Sequence, residues 1–389
     1  MPNIQKPEAD PVELARHVIE FGKDEEDDQD RQVQPAAMAL VDLGLEWPEG
    51  LAPQPYELEN EPATSDPLPE ADVLVVTWTV AEVEALADTL TPGFSRKNWY
   101  RYDRDFQEKY VPQIRKGAPA LNAKRLGSYF MTKIGEKNVL CFKSELHMNQ
   151  DGIATGDGTA TLPVKDLFQQ MIAEVKPSLV ITVGTAGATF AEHDLGDVMI
   201  SRAAKFRCAR EFTNEAFTHK EYRCTDYTIP TGQFAAARKL LKQHASNLIE
   251  PEFGPPTIRY AYDGPLIKPP TNKPDFKLDG RDFDEFLPML TTDFFEFGTS
   301  TNGLEKIGCG VEMGDAVLGM VVEELKEQGE AAPLWLVIRN ASDPQINGAL
   351  PDKPRARNMQ AHWAVWYYET YGYWTSVNSA IATWAMIAE

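Results

Sequence analysis

The chain has 389 residues, 43% of them apolar and 25% charged, which suits one large globular domain or two ordinary ones and excludes a small stapled fold. There is no run of 18 apolar residues and no basic-then-apolar leader in MPNIQKPEADPVE, so neither a membrane span nor a secretory signal is expected. A net charge of −21 argues against a nucleic-acid binder, which needs a basic footprint.

The acidity is concentrated at the start. Residues 1–70 hold 18 Asp/Glu against 4 Lys/Arg, a net −14, and 10 of the 28 prolines. The run Asp24 to Asp30 repels itself, and proline interrupts Trp47 to Glu70 every few residues. Residues 1–70 therefore read as a partly disordered extension, with short helices possible at Pro11–Phe21 and Pro35–Leu43. It is either a solvated tail or an arm for a partner subunit.

From Ala71 the texture becomes globular. Val73-Leu74-Val75-Val76 is a continuous apolar run, as expected of a strand buried on both faces, and Ala81–Leu90 reads as the helix after it. Further strands are expected at Val139–Phe142, Leu179–Val183, Val198–Ile200 and Leu334–Ile338. Val164, Leu167, Phe168, Met171, Ile172 and Val175 recur at helical spacing, and Pro177 stops that helix just before the strand at Leu179. A second such helix carries Met313, Ala316, Val317, Met320 and Val321. Alternating strands and helices predict an α/β fold, a twisted mixed central sheet flanked by helices, over residues 71–389. Residues 251–290 are rich in Pro, Gly, Asp and Lys without periodicity and read as an insertion. From Ala361 the chain is aromatic, as in a core or subunit-interface helix. The four cysteines (Cys141, Cys208, Cys224, Cys309) show no CxxC pair, and a reducing cytoplasm is the expected setting. The histidines show no HxxxH or HExxH spacing, so no metal and no cofactor is implied.

Three segments carry candidate chemistry. Gly156-Asp157-Gly158-Thr159 leads through a helix and a strand to Gly184-Thr185-Ala186-Gly187, glycine-rich at a strand's C-terminal end, where α/β sheets bind ligands. A structural turn accounts for it as well. Gly310-Val311-Glu312-Met313-Gly314-Asp315 opens the second amphipathic helix, where acids also serve as caps. Ile338-Arg339-Asn340-Ala341-Ser342-Asp343-Pro344 follows a buried strand, and Pro344 disfavours helical geometry at Asp343, so that carboxylate is expected in a turn at the sheet edge.

In this order, the segments resemble the nucleoside phosphorylase and nucleosidase superfamily, over roughly 71–345. TGDGTATLPVKDLFQQMIAEVKPSLVITVGTAGATFAEHDLGDVMIS is similar to its glycine loop, helix, strand and second glycine loop, GVEMGDAV to its "EME" helix, and VIRNASD to its "iR.iSD" turn. The resemblance implies a nucleoside-phosphorylase-like fold built into homo-oligomers, and a purine nucleoside or nucleotide as ligand. It implies that Asp343 protonates purine N7, so that the base leaves neutral; such a carboxyl needs a raised pKa, which an apolar pocket supplies. Met313 would lie under the ribose, Phe295 would stack on the base (Phe294 and Phe297 compete for that register), and Glu296 would offer its backbone to the base edge. Gly158, Thr159, Gly184, Thr185 and Ala186 would position sugar and water through backbone N–H groups. Glu82, in VLVVTWTVAEVEAL, matches the nucleosidase Glu that activates water; the Gly-Asp-Pro and Arg loop of phosphorylases is absent. Hydrolysis is therefore expected, with a phosphorylase or a non-catalytic purine-binding protein as alternatives. The chain departs from the motif at Gly314, where the family places a ribose-binding Glu; Glu312 is the substitute to consider. Finally, Arg202, Lys205, Arg207 and Arg210 form a basic stretch that would suit a 5′-phosphate, as in AMP or ATP.

Overall fold

The computed structural model describes residues 43–244, 273–277, 287–353 and 358–389. Its strands are β1 (Gln54–Tyr56), β2 (Val73–Thr77), β3 (Tyr100–Tyr102), β4 (Gly127–Ile134), β5 (Lys137–Ser144), β6 (Leu179–Ala188), β7 (Val198–Ser201), β8 (Ala203–Arg207), β9 (Glu221–Arg223), β10 (Phe276–Lys277), β11 (Met289–Thr292), β12 (Gly310–Glu312) and β13 (Leu334–Asp343). The helices used below are α1 (Val80–Leu90), α2 (Pro119–Ala123), α3 (Met148–Asp151), α4 (Pro163–Val175), α5 (Phe234–His244), α6 (Asp315–Gln328) and α7 (Met359–Ile387).

All strands join one mixed sheet, with β1-β4-β5-β2-β6-β12-β11-β8-β9 as its main path and β13 bridging β6 and β7. The apolar run of β2 is buried throughout because it lies between β5 and β6, parallel to both. Amphipathic α4 buries Val164, Leu167, Phe168, Met171, Ile172 and Val175, the residues its spacing marked. Lys176 then ends it in the left-handed region, ahead of Pro177. Aromatic α7 is buried along most of its length within this chain, packing on α1, β6 and β13, as a helix apolar all round must.

The position of the site follows from β6. One edge of β6 pairs with β13 along Leu179–Gly187. The other edge pairs with β2 only at Leu179–Thr182 and with β12 only at Gly187 and Ala188. Between these contacts the sheet opens, a strand-order change of the kind that makes a crevice in α/β folds.

Several expectations need correcting. Gly184–Gly187 is strand rather than loop, because β13 pairs beside it. Asp343 ends β13 rather than sitting in a turn: the extended bias before Pro344 continues the strand, with a bulge between Ala341 and Asp343. Glu312 closes β12 and Met313 precedes α6, whose N-cap is Gly314. Part of the N-terminal extension joins the domain. Within 43–70, β1 pairs with β4, Leu68 is buried, and Trp47 lies 4.9 Å from Trp384, whose Nε1 donates to Leu51 O at 2.7 Å. The two short helices expected before it lie outside the described residues, apart from Leu43. Most of the 251–290 insertion does too; its described parts supply β10 and the start of β11. No helix among the described residues is long and apolar enough to cross a membrane.

Candidate active site

A cavity enclosing ≈ 830 Å³, part of it open to solvent, lies at the gap in β6. Its walls include Glu82, Thr185, Ala186, Phe295, Glu296, Glu312, Met313 and Asp343, residues drawn from five separate parts of the chain.

Glu82 is the N3 residue of α1 and closes a capping box with Thr79. Its carboxylate is crowded with donors. Oε2 accepts from Thr77 Oγ1, Trp78 N and Thr79 N at 3.0, 3.1 and 2.9 Å, and Oε1 from Thr185 N and Oγ1 at 2.7 and 2.9 Å. Arg339 NH1 stands 3.7 Å from Oε1. Burial alone would raise its pKa; the Arg339 charge and the hydrogen bonds from Thr79 and Thr185 outweigh it and hold Glu82 below the usual carboxylate range. A Cβ at Gly184 would stand 2.4 Å from Glu82 Oε1 and 2.6 Å from Arg339 NH1. Gly184 is thus the bare floor under this pair and does not itself line the cavity.

Asp343 has the opposite surroundings. It is buried at 7% exposure, Ser342 Oγ donates to Oδ1 at 3.0 Å, and Oδ2 has no protein partner. Burial with one hydrogen bond against it pushes the carboxyl up to about 7. The bulge in β13 sets Asp343 opposite Gly187, where a Cβ would come within 3.0 Å of Oδ2.

Arg339 ties the floor together. It donates to Asp315 through Nε (2.9 Å) and NH2 (2.5 Å) and to Glu312 through NH2 (3.3 Å), and lies over the Trp78 ring at 5.1 Å. Glu312 also accepts from Gly314 N at 2.5 Å, Asp315 N at 3.0 Å and the Thr291 hydroxyl. Burial and the Asp315 charge raise its pKa, and Arg339 opposes them.

Phe295 and Phe297 line the cavity with ring centroids 5.7 Å apart, whereas Phe294 lies outside its walls, under Arg210 at 5.7 Å. The Glu296 carboxylate is held by Arg207 through two bonds of 2.9 and 3.0 Å. Three buried polar side chains that the sequence did not single out, His147, Asn149 and Gln150, form another wall beside Met313, on whose sulfur Asn149 Nδ2 rests at 3.0 Å. Both His147 ring nitrogens, Asn149 Oδ1 and Gln150 Oε1 lack a hydrogen-bond partner. Buried polar atoms are normally satisfied, so this wall has hydrogen-bonding capacity that the described protein groups leave open. Tyr368 of α7 completes the enclosure, its hydroxyl donating to Thr79 Oγ1 at 3.1 Å.

Two expected groups lie apart from the cavity walls. Gly158 and Thr159 belong to a closed turn, in which Asp157 Oδ1 accepts from Thr155 Oγ1, Thr159 N and Thr159 Oγ1. The left-handed φ of +85° and +88° at Gly156 and Gly158 serves that turn. Arg202 is buried and donates to Tyr227 O at 2.5 Å. Its neighbours are also engaged: Lys205 stands 4.0 Å from Glu221, Arg207 binds Glu296, and Arg210 covers Phe294. None of these four cations lines the cavity. Among the described residues no group of three His, Cys, Asp or Glu could hold a metal ion.

No known protein-family model and no curated protein matches the chain. In structure it is similar to nucleosidases. The 5′-methylthioadenosine/S-adenosylhomocysteine nucleosidase of Neisseria meningitidis matches at 13% identity and TM-score 0.41, covering 82% of this chain and 99% of that one. The S-adenosylhomocysteine nucleosidase of Streptococcus pyogenes matches at 12% and 0.43 (82% and 98%), and the futalosine hydrolase of Helicobacter pylori at 10% and 0.39 (81% and 96%).

Proposed function

We propose that this chain hydrolyses the N-glycosidic bond of a purine nucleoside and releases the free base. The observation that carries the reading is the pairing, in one cavity, of a carboxyl raised to about 7 and a carboxylate held ionised, with aromatic and thioether walls beside them. Cleaving a C–N glycosidic bond needs a proton on the departing base and a nucleophile on the sugar. Asp343, protonated near neutrality and with Oδ2 free, is suited to donate to N7 of a base held against Phe295 and Phe297. As the bond lengthens the sugar becomes a cation, and water adds to it. Glu82, below the usual range, is a weak base; it can take the proton of a water that is already attacking a cation. Thr185 Oγ1, on the cavity wall and bonded to Glu82, is placed to hold that water.

The sugar side is where this chain departs from the motif its sequence resembles. Gly314 carries no side chain, and Glu312 is turned into the network of Arg339, Asp315 and the α6 N-terminus. His147, Asn149 and Gln150, with open hydrogen-bonding capacity beside Met313, are the groups suited to ribose hydroxyls. Among the described residues, the one guanidinium on the cavity wall, Arg339, is already shared by three carboxylates. That favours a nucleoside over a nucleotide such as AMP or ATP.

The test is chromatography of adenosine, inosine, guanosine, methylthioadenosine, AMP and ATP after incubation with the protein, with and without phosphate. Base released from a nucleoside without phosphate, and lost in Asp343→Asn, supports the reading. Release only with phosphate makes the chain a phosphorylase. No release from any compound leaves the non-catalytic purine-binding alternative.

A further inference from the structure

The one-turn helix α3 carries an imidazole and a carboxylate that the proton transfers above do not use. His147 is its N-cap and Asp151 its last residue. Asp151 is wholly buried; its Oδ2 accepts from His147 N at 2.5 Å and stands 3.8 Å from His147 Nδ1. Asp151 Oδ1 has no hydrogen-bond partner among the described residues, and neither ring nitrogen of His147 has one. His147 is 9% exposed and lines the cavity, whereas Asp151 does not reach the cavity wall. The carboxylate therefore backs an imidazole that belongs to the wall.

This segment is held from outside the cavity. Arg115 donates from its guanidinium to the main-chain carbonyls of Asn149 (2.7 Å) and Gln150, and from its backbone N to Asp151 O at 2.8 Å. Glu211 anchors the same guanidinium at 2.5 Å, and Ile114 pairs with Gly152. The backbone of 149–152 is thus fixed through its own polar groups, and the side chains keep capacity to spare. Asn149 Nδ2 rests on the Met313 sulfur, while Asn149 Oδ1 and Gln150 Oε1, on buried side chains, are open. What these atoms bind follows from their type. An amide oxygen only accepts, and a carboxylate beside Nδ1 draws the ring proton to that nitrogen, which leaves Nε2 an acceptor. Three acceptors on one buried wall suit a guest with O–H donors; an ionised phosphate or carboxylate has none to give. The 3.8 Å separation is long for a hydrogen bond, and such contacts are often loose until a ligand tightens them.

We infer that His147, oriented by Asp151, is the residue that selects the sugar: it accepts a hydrogen bond from one sugar hydroxyl, with Asn149 and Gln150 beside it. That the sugar lies beside Met313 rests on the glycosidase reading. His147 then touches the substrate, and Asp151 and Arg115 act through it and its neighbours as positioning residues. A site that pairs a buried group with a hydroxyl rejects the analogue lacking it, because that group is left unpaired.

The test compares adenosine and inosine with their 2′-, 3′- and 5′-deoxy forms in the full chain, in His147→Leu and in Asp151→Asn. In the unaltered chain, kcat/KM for one deoxy form should lie about tenfold or more below its parent. In His147→Leu the two should become roughly equal, and in Asp151→Asn the ratio should shrink by about threefold or more. Asp151→Asn keeps the shape of the native residue and so decides the matter if His147→Leu does not fold. A merely structural role would lower parent and deoxy form together and leave their ratio unchanged. Dissociation constants from titration calorimetry give the same ratio without turnover. Discrimination in binding that depends on His147, without base release, keeps His147 as the selecting residue and removes the glycosidase reading. Base release with no deoxy form disfavoured, or with a ratio that both variants leave unchanged, overturns the role of His147 and spares that reading. No binding of any of these nucleosides overturns both.

Discussion

Asp343 and Glu82 are carboxylates buried in one cavity, and their surroundings treat them in opposite ways. The β13 end gives Asp343 one hydroxyl and leaves Oδ2 bare; Glu82 receives three hydrogen bonds from the β2–α1 corner, two from Thr185 of β6, and the guanidinium of Arg339 from β13. Burial is common to both, so it cannot separate them. The number of donors does: with few, desolvation wins and the proton stays; with many, the charge stays. The contrast teaches that the sheet opening at β6 sets the two protonation preferences. Backbone N–H groups left without a strand neighbour there, Thr185 N among them, can turn to Glu82.

Removing the proposed proton donor should break the contrast most severely. Asp343→Asn keeps the shape and loses the acid, and base release should fall by about 10²–10⁴-fold, the range for one general acid, with little change in KM. Glu82→Gln should come next. A Gln presents an NH2 group to donors that now meet a carboxylate, so we expect turnover lower by roughly 10²-fold and stability lower by about 1–3 kcal/mol, read from initial rates and denaturant unfolding.

Titration sharpens the comparison. Activity should decline as pH rises through about 7, when Asp343 loses its proton, and the limb set by Glu82 should lie below its ordinary 4.5. Stability follows the same sign. The folded pKa of Asp343 is raised above the ordinary 3.8, so the unfolded chain ionises first and stability is lost between those two pH values. The loss is of order 4 kcal/mol at most. Asp88, also raised to about 6 by burial, contributes in the same direction, so the slope difference between the unaltered chain and Asp343→Asn isolates Asp343. The smallest effect is expected at Gly314. A Cβ there would stand 3.2 Å from the Trp78 ring, whose Nε1 is tied to Leu146 O at 3.1 Å. Gly314→Ala should raise KM a few-fold, about 1 kcal/mol, and leave kcat nearly unchanged.

The strand-and-helix alternation was legible because β2, α4 and β13 carry their burial in their periodicity. Motif order likewise pointed to Glu82, Met313, Phe295 and Asp343, which the fold collects although they are far apart in the chain. Local chemistry misled where tertiary pairing decides. Glycines at 184 and 187 looked like a loop, yet they are strand residues kept bare for the approach of Glu82, Arg339 and Asp343. The basic stretch at 202–210 looked like an anion subsite; its partners, Tyr227, Glu221, Glu296 and Phe294, come from elsewhere in the sequence. His147, Asn149, Gln150 and Trp78 had no spacing to announce them, because only the fold brings them to the cavity.

The most direct test of the central claim is where the oxygen on the sugar comes from. Base release run in H2(18)O, with the sugar product read by mass spectrometry, should give one heavy oxygen in the free sugar and none in the base. A sugar 1-phosphate, or a sugar without the label, would contradict hydrolysis by water held beside Thr185 and Glu82.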